Sequence, residues 1–240
     1  MRQRLDRLLV ERGLAESREK AQALIMAGEV SVDGQKASKP GHAIDAASAI
    51  EVSGKPPYVS RGGVKLAAAL EGFGIDVSGC VCLDIGSSTG GFTDCLLQRG
   101  ASRVHAVDVG AGQLDWKLRN DPRVVVHEGI NARRLGFDDI GELVTVATFD
   151  VSFISVTLIL PAVVALLRSD GRMAILVKPQ FEVGKGSVGK GGIVRDQELH
   201  REACARVEGA VKNLGFETSM MVSPILGAEG NKEFLLYARH

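Results

Sequence analysis

Apolar residues along this 240-residue chain follow two different rhythms. In residues 1–53 they first recur at helical spacing. Leu5, Leu8, Leu9 and Leu14 form one set and Ala21, Leu24 and Ile25 another, which predicts two short amphipathic helices. Gly13 and Gly28 stop these helices, and Ser17 offers the second one a cap. Val30 to Asp33 then alternates as a strand does, Gly34 turns the chain, and Lys39-Pro40-Gly41 turns it again before a short strand at Ala49–Val52. Residues 54–60, with Gly54, Pro56 and Pro57, read as a semi-rigid linker.

Beyond residue 61 the rhythm changes. A helix is predicted from Arg61 to about Gly72. Short apolar runs follow at 81–85, 103–109, 123–126, 144–154, 172–178, 218–225 and 233–239. Helical stretches separate most of them, among them Phe92–Arg99, Gly112–Arg119, Ser155–Leu167 and Gln197–Leu214. Strands alternating with helices predict a doubly wound α/β sheet of seven strands, here in a domain covering 61–240.

Charge narrows the picture only a little. The formal net charge is +0, so no global field advertises a nucleic-acid partner. Residues 1–60 carry nine basic against eight acidic side chains. Placement says more: Arg4, Arg18 and Lys20 lie at or near helix starts, where free N–H groups help to hold phosphates, although solvated helix-face charges would look the same. The four cysteines show neither a metal spacing nor a disulfide framework and read as reduced thiols, so no metal is expected. The N-terminus lacks a signal-peptide core. The apolar run 151–167 contains Ser152, Ser155, Thr157 and Pro161 and falls short of a membrane span. A cytoplasmic protein without a membrane partner is expected.

The most informative stretch is Val81 to Asp94, an apolar strand ending in Asp84 and followed by Gly86, Gly90 and Gly91. Glycines let the backbone approach a ligand, and the helix that follows adds free N–H donors. A phosphate-binding loop would need Lys-Ser/Thr after its glycines, and Phe92 stands there instead. The G-x-G-x-x-G register also fails. A second acid, Asp108, ends the next strand 24 positions on, as a ribose-gripping carboxylate would. S-adenosylmethionine (SAM) fits this arrangement better than a dinucleotide. Asn131 either bonds an adenine edge or closes a turn.

Four charged residues share one placement. Asp150 and Lys178 end apolar runs, Glu233 opens the last strand, and Lys65 sits near a helix start, where an amine is electrostatically unfavourable. A doubly wound sheet gathers strand ends on one edge. Methylating a ribose 2′-hydroxyl needs a base held in line with the donor. A lysine amine serves as base only when uncharged, a state that burial and a neighbouring cation favour and carboxylates oppose. The segment 180–196, with five glycines and Lys185, Lys190 and Arg195, is either a substrate clamp or a floppy loop.

The N-terminal text (Arg4-Leu-Asp6, Leu8, Gly13, Ser17-Arg18, Ala21, Ile25, Gly28, Val30, Val32-Asp33-Gly34, Lys39-Pro40-Gly41) resembles the S4 RNA-binding domain. Tyr58–Leu66, Asp84–Asp94, Asp150–Ser155, Val177–Gly184 and Gly230–Phe234 resemble the TlyA, or haemolysin A, family: an S4 domain joined to an FtsJ-like methyltransferase domain. That resemblance covers nearly the whole chain. It implies SAM-dependent 2′-O-methylation of a cytidine in ribosomal RNA, with rRNA or ribosomal subunits as partner. Lys178 would be the base, with Lys65, Asp150 and Glu233 around it. Asp84, Gly86, Ser87, Gly90, Phe92, Asp108, Val109, Asn131 and Asp150 would hold the donor. Arg4, Arg18, Lys20, Arg61, Lys185 and Lys190 would contact RNA. The family has longer members that modify both subunits and shorter ones that modify the large subunit; a chain starting at the S4 helix resembles the shorter kind. The competing readings are a membrane-lytic protein, and an RNA-binding assembly factor with a silent methyltransferase fold.

Overall fold

The computed structural model describes residues 2–52, 56–184, 186, 188–227 and 230–240. The chain divides into two compact units, Met1–Pro57 and Tyr58–His240. In the first, β1 (Arg2–Arg4) pairs antiparallel with β4 (Ala43–Asp45). β2 (Val30–Val32) lies between β3 (Gln35–Lys36) and β5 (Ile50–Val52). Two helices, α1 (Leu5–Glu11) and α2 (Arg18–Met26), bury Leu5, Leu8, Leu9, Ala21 and Ile25 with Val30 and Ile44. Burying one such aliphatic side chain contributes about 1.5–3 kcal/mol. The Ser17 hydroxyl caps α2 by accepting from the Lys20 N–H at 3.2 Å. Leu14 lies beyond α1, because the helix stops at Glu11 and Gly13 takes a left-handed φ of 69°. β1 and β4 are too short and too polar to be read from alternation.

The second unit is a seven-stranded sheet. Its strands are β6 (Val81–Ile85), β7 (Arg103–Asp108), β8 (Val124–Glu128), β9 (Val144–Phe149), β10 (Leu167–Val177), β11 (Glu217–Val222) and β12 (Phe234–Arg239). The spatial order is β11-β12-β10-β9-β6-β7-β8. β12 runs antiparallel to both of its neighbours, and the other pairings are parallel. Helices α3 (Gly62–Gly72), α4 (Gly91–Gln98), α5 (Trp116–Arg119), α6 (Phe137–Ile140), α7 (Leu160–Val164), α8 (Pro179–Glu182) and α9 (Gln197–Lys212) connect or precede the strands. Alternation along each strand feeds two cores. Leu83, Ile85, Phe149 and Ile175 face a layer with Leu160 and Val207, while Cys82, Ala174 and Leu176 face Leu66, Leu70 and Leu96. The expected doubly wound sheet is therefore present, and its order reverses at β6, between β7 and β9. Ligands bind beyond the carboxyl ends of strands at such a reversal.

Three expected elements differ. The helix predicted over Gly112–Arg119 covers only Trp116–Arg119, capped by Asp115. The strand predicted to run through 154 ends at Phe149. Asp150 still donates its N–H to the Ile85 carbonyl at 2.9 Å, but Phe153 takes φ 65°, which no strand accommodates. The helix predicted over 155–167 shrinks to a 3-10 turn at Val156–Leu158 and to α7, with Pro161 at its start. Leu167 already belongs to β10, which carries a register shift before Arg172. An apolar run cannot by itself separate buried helix from buried strand.

Candidate active site

The reversal point opens into two adjoining cavities, of about 670 and 500 Å³, which share Gly86, Ser88, Asp150, Ser152 and Phe153. Both lie in the range of small-molecule sites. Lys65, Asp150, Lys178 and Glu233, scattered over four elements and loops, all line the larger one. They form two ion pairs. Lys65 Nζ donates to Glu233 Oε2 at 2.5 Å, with both side chains at least nine-tenths buried. Lys178 Nζ lies 2.6 Å from Asp150 Oδ1 and donates to Ser152 Oγ at 2.9 Å. Two cations and two anions keep the quartet neutral overall.

The strip that follows Lys178 is tied to the strip that follows Asp150 a second time. Glu182 is buried and accepts from Ser155 Oγ at 2.5 Å and from the Val156 N–H at 2.9 Å. Burial pushes this carboxyl up, against the opposing pull of the Ser155 hydrogen bond. Asn231 is also buried at the larger cavity. Its Oδ1 accepts from the Val194 N–H and its Nδ2 donates to the Gly192 carbonyl, both at 3.0 Å, fixing the glycine-rich segment beside Glu233. Ser152, Glu182 and Asn231 were not picked out from the sequence. No periodicity marks them, and only their nearness to Asp150, Lys178 and Glu233 was a signal.

The expected donor-site residues divide between the cavities. Gly86, Ser87 and Phe92 line the larger one, and Asp108, Val109 and Asn131 the smaller, while Gly86 and Asp150 line both. Gly86 has φ 82°, and a Cβ there would stand 2.6 Å from the Asp150 carbonyl oxygen, so the turn passes closer to the loop than any side chain allows. Asp108 accepts from the Ser88 N–H at 2.8 Å and the Gly110 N–H at 2.7 Å, which fixes its carboxylate at the strand end. Asn131 Oδ1 accepts from the Arg133 N–H at 3.1 Å, the turn-closing bond anticipated as one of its two roles.

Two of the expected donor-site residues line neither cavity. Gly90 lines neither cavity; it caps α4 at φ 96°, where a Cβ would strike Leu118. Asp84 also lines neither. Its carboxylate is fully buried behind the turn and accepts from Thr93 Oγ1 at 2.7 Å and Thr148 Oγ1 at 3.1 Å. Alternation along β6 aims it inward, so it faces hydroxyls and not a ligand. Burial pushes its pKa up to about 7, helped by Asp150 and opposed by the two hydroxyls. An acid raised in the folded state costs stability as pH rises. From about 4, where the unfolded chain loses the proton, to about 7, stability falls, and above that it is level. Asp84→Asn is therefore expected to stabilise the protein by about 2–4 kcal/mol at pH 8 and by much less at pH 5. Urea unfolding at the two values checks this, and an equal change at both would refute it.

Among the expected RNA contacts, Arg61 lines the larger cavity. Arg4 and Arg18 each remain more than two-fifths exposed, yet both donate to the buried Asp6, at 2.9 Å for the closest contact of each. Hydrogen bonding from Arg4, ahead of the opposing burial, holds the Asp6 carboxyl well below the usual carboxylate range. Lys20 is exposed on the first turn of α2. Lys185 lies outside the described residues, as does the side chain of Lys190. Among the described residues no group of three or more His, Cys, Asp and Glu could hold a metal ion, and no helix is long and apolar enough to cross a membrane.

The smaller cavity has apolar walls from Ile85, Val107, Ile130 and Ile159 with Asp108 and Asn131 at its polar side, a lining suited to a nucleoside. It opens through Gly86 and Asp150 onto a lysine–carboxylate quartet. A seven-stranded sheet with this site at its reversal point defines a SAM-dependent methyltransferase. The model of the FtsJ-like methyltransferases matches residues 58–240 and that of the S4 domain matches residues 3–50, and the chain belongs to the FtsJ-like family. It is 49% identical to the 16S/23S rRNA (cytidine-2′-O)-methyltransferase TlyA of Mycobacterium tuberculosis, over 99% of this chain and 90% of that one. It is 46% identical to Hemolysin A of Brachyspira hyodysenteriae, over 98% of each. A solved structure described as "Putative hemolysin from Streptococcus thermophilus" superposes with a TM-score of 0.77 at 44% identity, covering 99% of this chain and 88% of that one.

Proposed function

We propose that this protein methylates the ribose 2′-oxygen of a cytidine in ribosomal RNA, in the cytoplasm, with the large-subunit RNA as its substrate. One observation carries the reading. Asp150, common to both cavities, holds the Lys178 amine at 2.6 Å, where the smaller, apolar-walled cavity meets the larger one. SAM, when bound, supplies an electrophilic methyl group. Gly86, Ser87, Asp108, Val109 and Asn131 would hold it, with Phe92 as an apolar wall.

The remaining work belongs to the quartet. Lys178 takes the proton that the ribose hydroxyl gives up, and Asp150 and Ser152 aim the amine. An amine acts as base only in its uncharged form, its own proton having passed to solvent first. Lys65, locked to Glu233, supplies a fixed positive charge that a developing alkoxide would meet without reorganisation. The S4 unit offers Arg4, Arg18 and Lys20, and the cavity mouth offers Arg61, for phosphate contacts that position the RNA and leave base selection to other groups. The named activity of the M. tuberculosis relative covers both rRNAs and that of a Campylobacter jejuni relative, 39% identical over 75% of this chain, covers 23S rRNA alone; the 23S molecule, common to both, is the one we assign.

The test is a map of 2′-O-methyls on 16S and 23S RNA from cells with and without the protein. A cytidine methyl on 23S RNA that disappears with the gene and returns with the wild-type chain is expected. Unchanged maps of both RNAs would overturn the assignment, and a change confined to 16S would overturn the choice of subunit.

A further inference from the structure

We infer that Gln180 reads the base of the nucleotide whose ribose is methylated, its side-chain amide pairing with the Watson–Crick edge of cytosine. This inference rests on the function proposed above. Gln180 lies on α8, two residues after Lys178, and lines the larger cavity but not the smaller. Its Oε1 is buried with no hydrogen-bond partner. Among the described residues only Gln3 Oε1 shares that condition. The neighbours of Gln180 are satisfied: Lys65 on Glu233, Lys178 on Asp150 and Ser152, Glu182 on Ser155 and Val156.

A buried amide oxygen without a donor costs stability in the free protein, and such a group in a native site calls for an explanation. A donor that arrives with the substrate is one. The donor does not come from SAM, whose expected contacts, Asp150 after β9 apart, lie around Gly86, Asp108 and Asn131 at the ends of β6, β7 and β8. α8 follows β10, which is separated from β6 by β9, on the side where the methyl acceptor must sit. With the ribose hydroxyl at Lys178, the base of that nucleotide is the nearest substrate part that carries N–H groups. Cytosine presents an exocyclic amine beside the N3 acceptor. A glutamine amide presents an oxygen beside an NH₂, so the two edges match as acceptor to donor and donor to acceptor. Enzymes that do chemistry on a base take it out of its stack and read its Watson–Crick edge, and the same extrusion would bring this base to Gln180. The terminal torsion of glutamine is soft, so the amide turns toward the base at little cost.

The test compares the full wild-type chain with Gln180→Met, which keeps the side chain's length and removes both polar atoms. Thermal unfolding, calorimetric SAM binding and methyl transfer to large-subunit particles over a range of concentrations are measured together. Removing an orphaned oxygen is expected to raise Tm by about 2–4 °C. SAM affinity is expected to stay within twofold, while KM for the particle rises about 10-fold with kcat less affected. A merely structural glutamine would give the opposite sign in Tm. A fall in Tm, a loss of SAM binding, or an unchanged KM overturns the inference. If the wild-type chain itself transfers no methyl group to either subunit, the function proposed above is what has failed, and the inference falls with it. A wild type that is active and a methionine variant that matches it reject Gln180 alone.

Discussion

Lys178→Ala is expected to lower kcat for methyl transfer by about 10²–10⁴-fold, the usual worth of a positioned general base. The fold should survive, because Lys178 is partly solvent-accessible and the loss leaves Asp150, itself about one-quarter exposed, able to take water in its place. SAM affinity should change little, since most of the contacts expected to hold it lie at the ends of β6, β7 and β8, and Asp150 stays in place when the amine is removed. Lys178→Arg separates base from charge. The guanidinium keeps a positive group beside Asp150 but does not give up its proton in proteins. Equal loss in the two variants marks Lys178 as the proton acceptor. An arginine variant with most of the wild-type rate would show that the site needs only the charge, and would refute the assignment.

The largest effect on stability is expected at Glu233. Its carboxylate is about 2% exposed and carries the Lys65 amine at 2.5 Å. Glu233→Ala leaves that ammonium buried and unpaired, which costs about 3–5 kcal/mol. Removing both charges is different. Lys65→Met combined with Glu233→Leu should recover most of the loss, because two desolvated ions have been exchanged for apolar contacts of similar volume. Urea unfolding of Lys65→Met, Glu233→Leu and the double variant closes this cycle. If the double variant is as unstable as Glu233→Leu, the pair is not the reason Glu233 matters. Methyl transfer in the double variant tests a separate point: a rate near that of the wild type would remove Lys65 from the catalytic group.

These two predictions show how far single residues could be read from the chain. Asp150 and Lys178 were recognisable because each ends an apolar run, and a parallel sheet brings such ends together; Glu233 reaches the same edge because β12 runs antiparallel, and Lys65 reaches it from α3. Their pairing was not recognisable. Lys65 and Glu233 are 168 positions apart, and nothing local prefers that partner over Asp150. Ser152 and Asn231 act through backbone and side-chain bonds formed only when separate loops meet. Asp84 shows a placement that spacing does not reveal. As the acid at a strand end before a glycine turn it looked like a ligand group, but the side-chain alternation of β6 aims it at Thr93 and Thr148.

By itself the sequence determined the local grammar: two rhythms of apolar residues, the S4-like and methyltransferase parts they specify, and the glycine turn at 86–91. These follow from backbone sterics and from periodicities of 3.6 and 2, which act between near neighbours. Tertiary structure decided the rest: where the strand before Asp150 stops, which lysine meets which carboxylate, and that Gln180 is left facing a cavity with no partner. Those outcomes depend on burial and hydrogen bonding between segments far apart in the chain, and their energies do not exist until the sheet has formed.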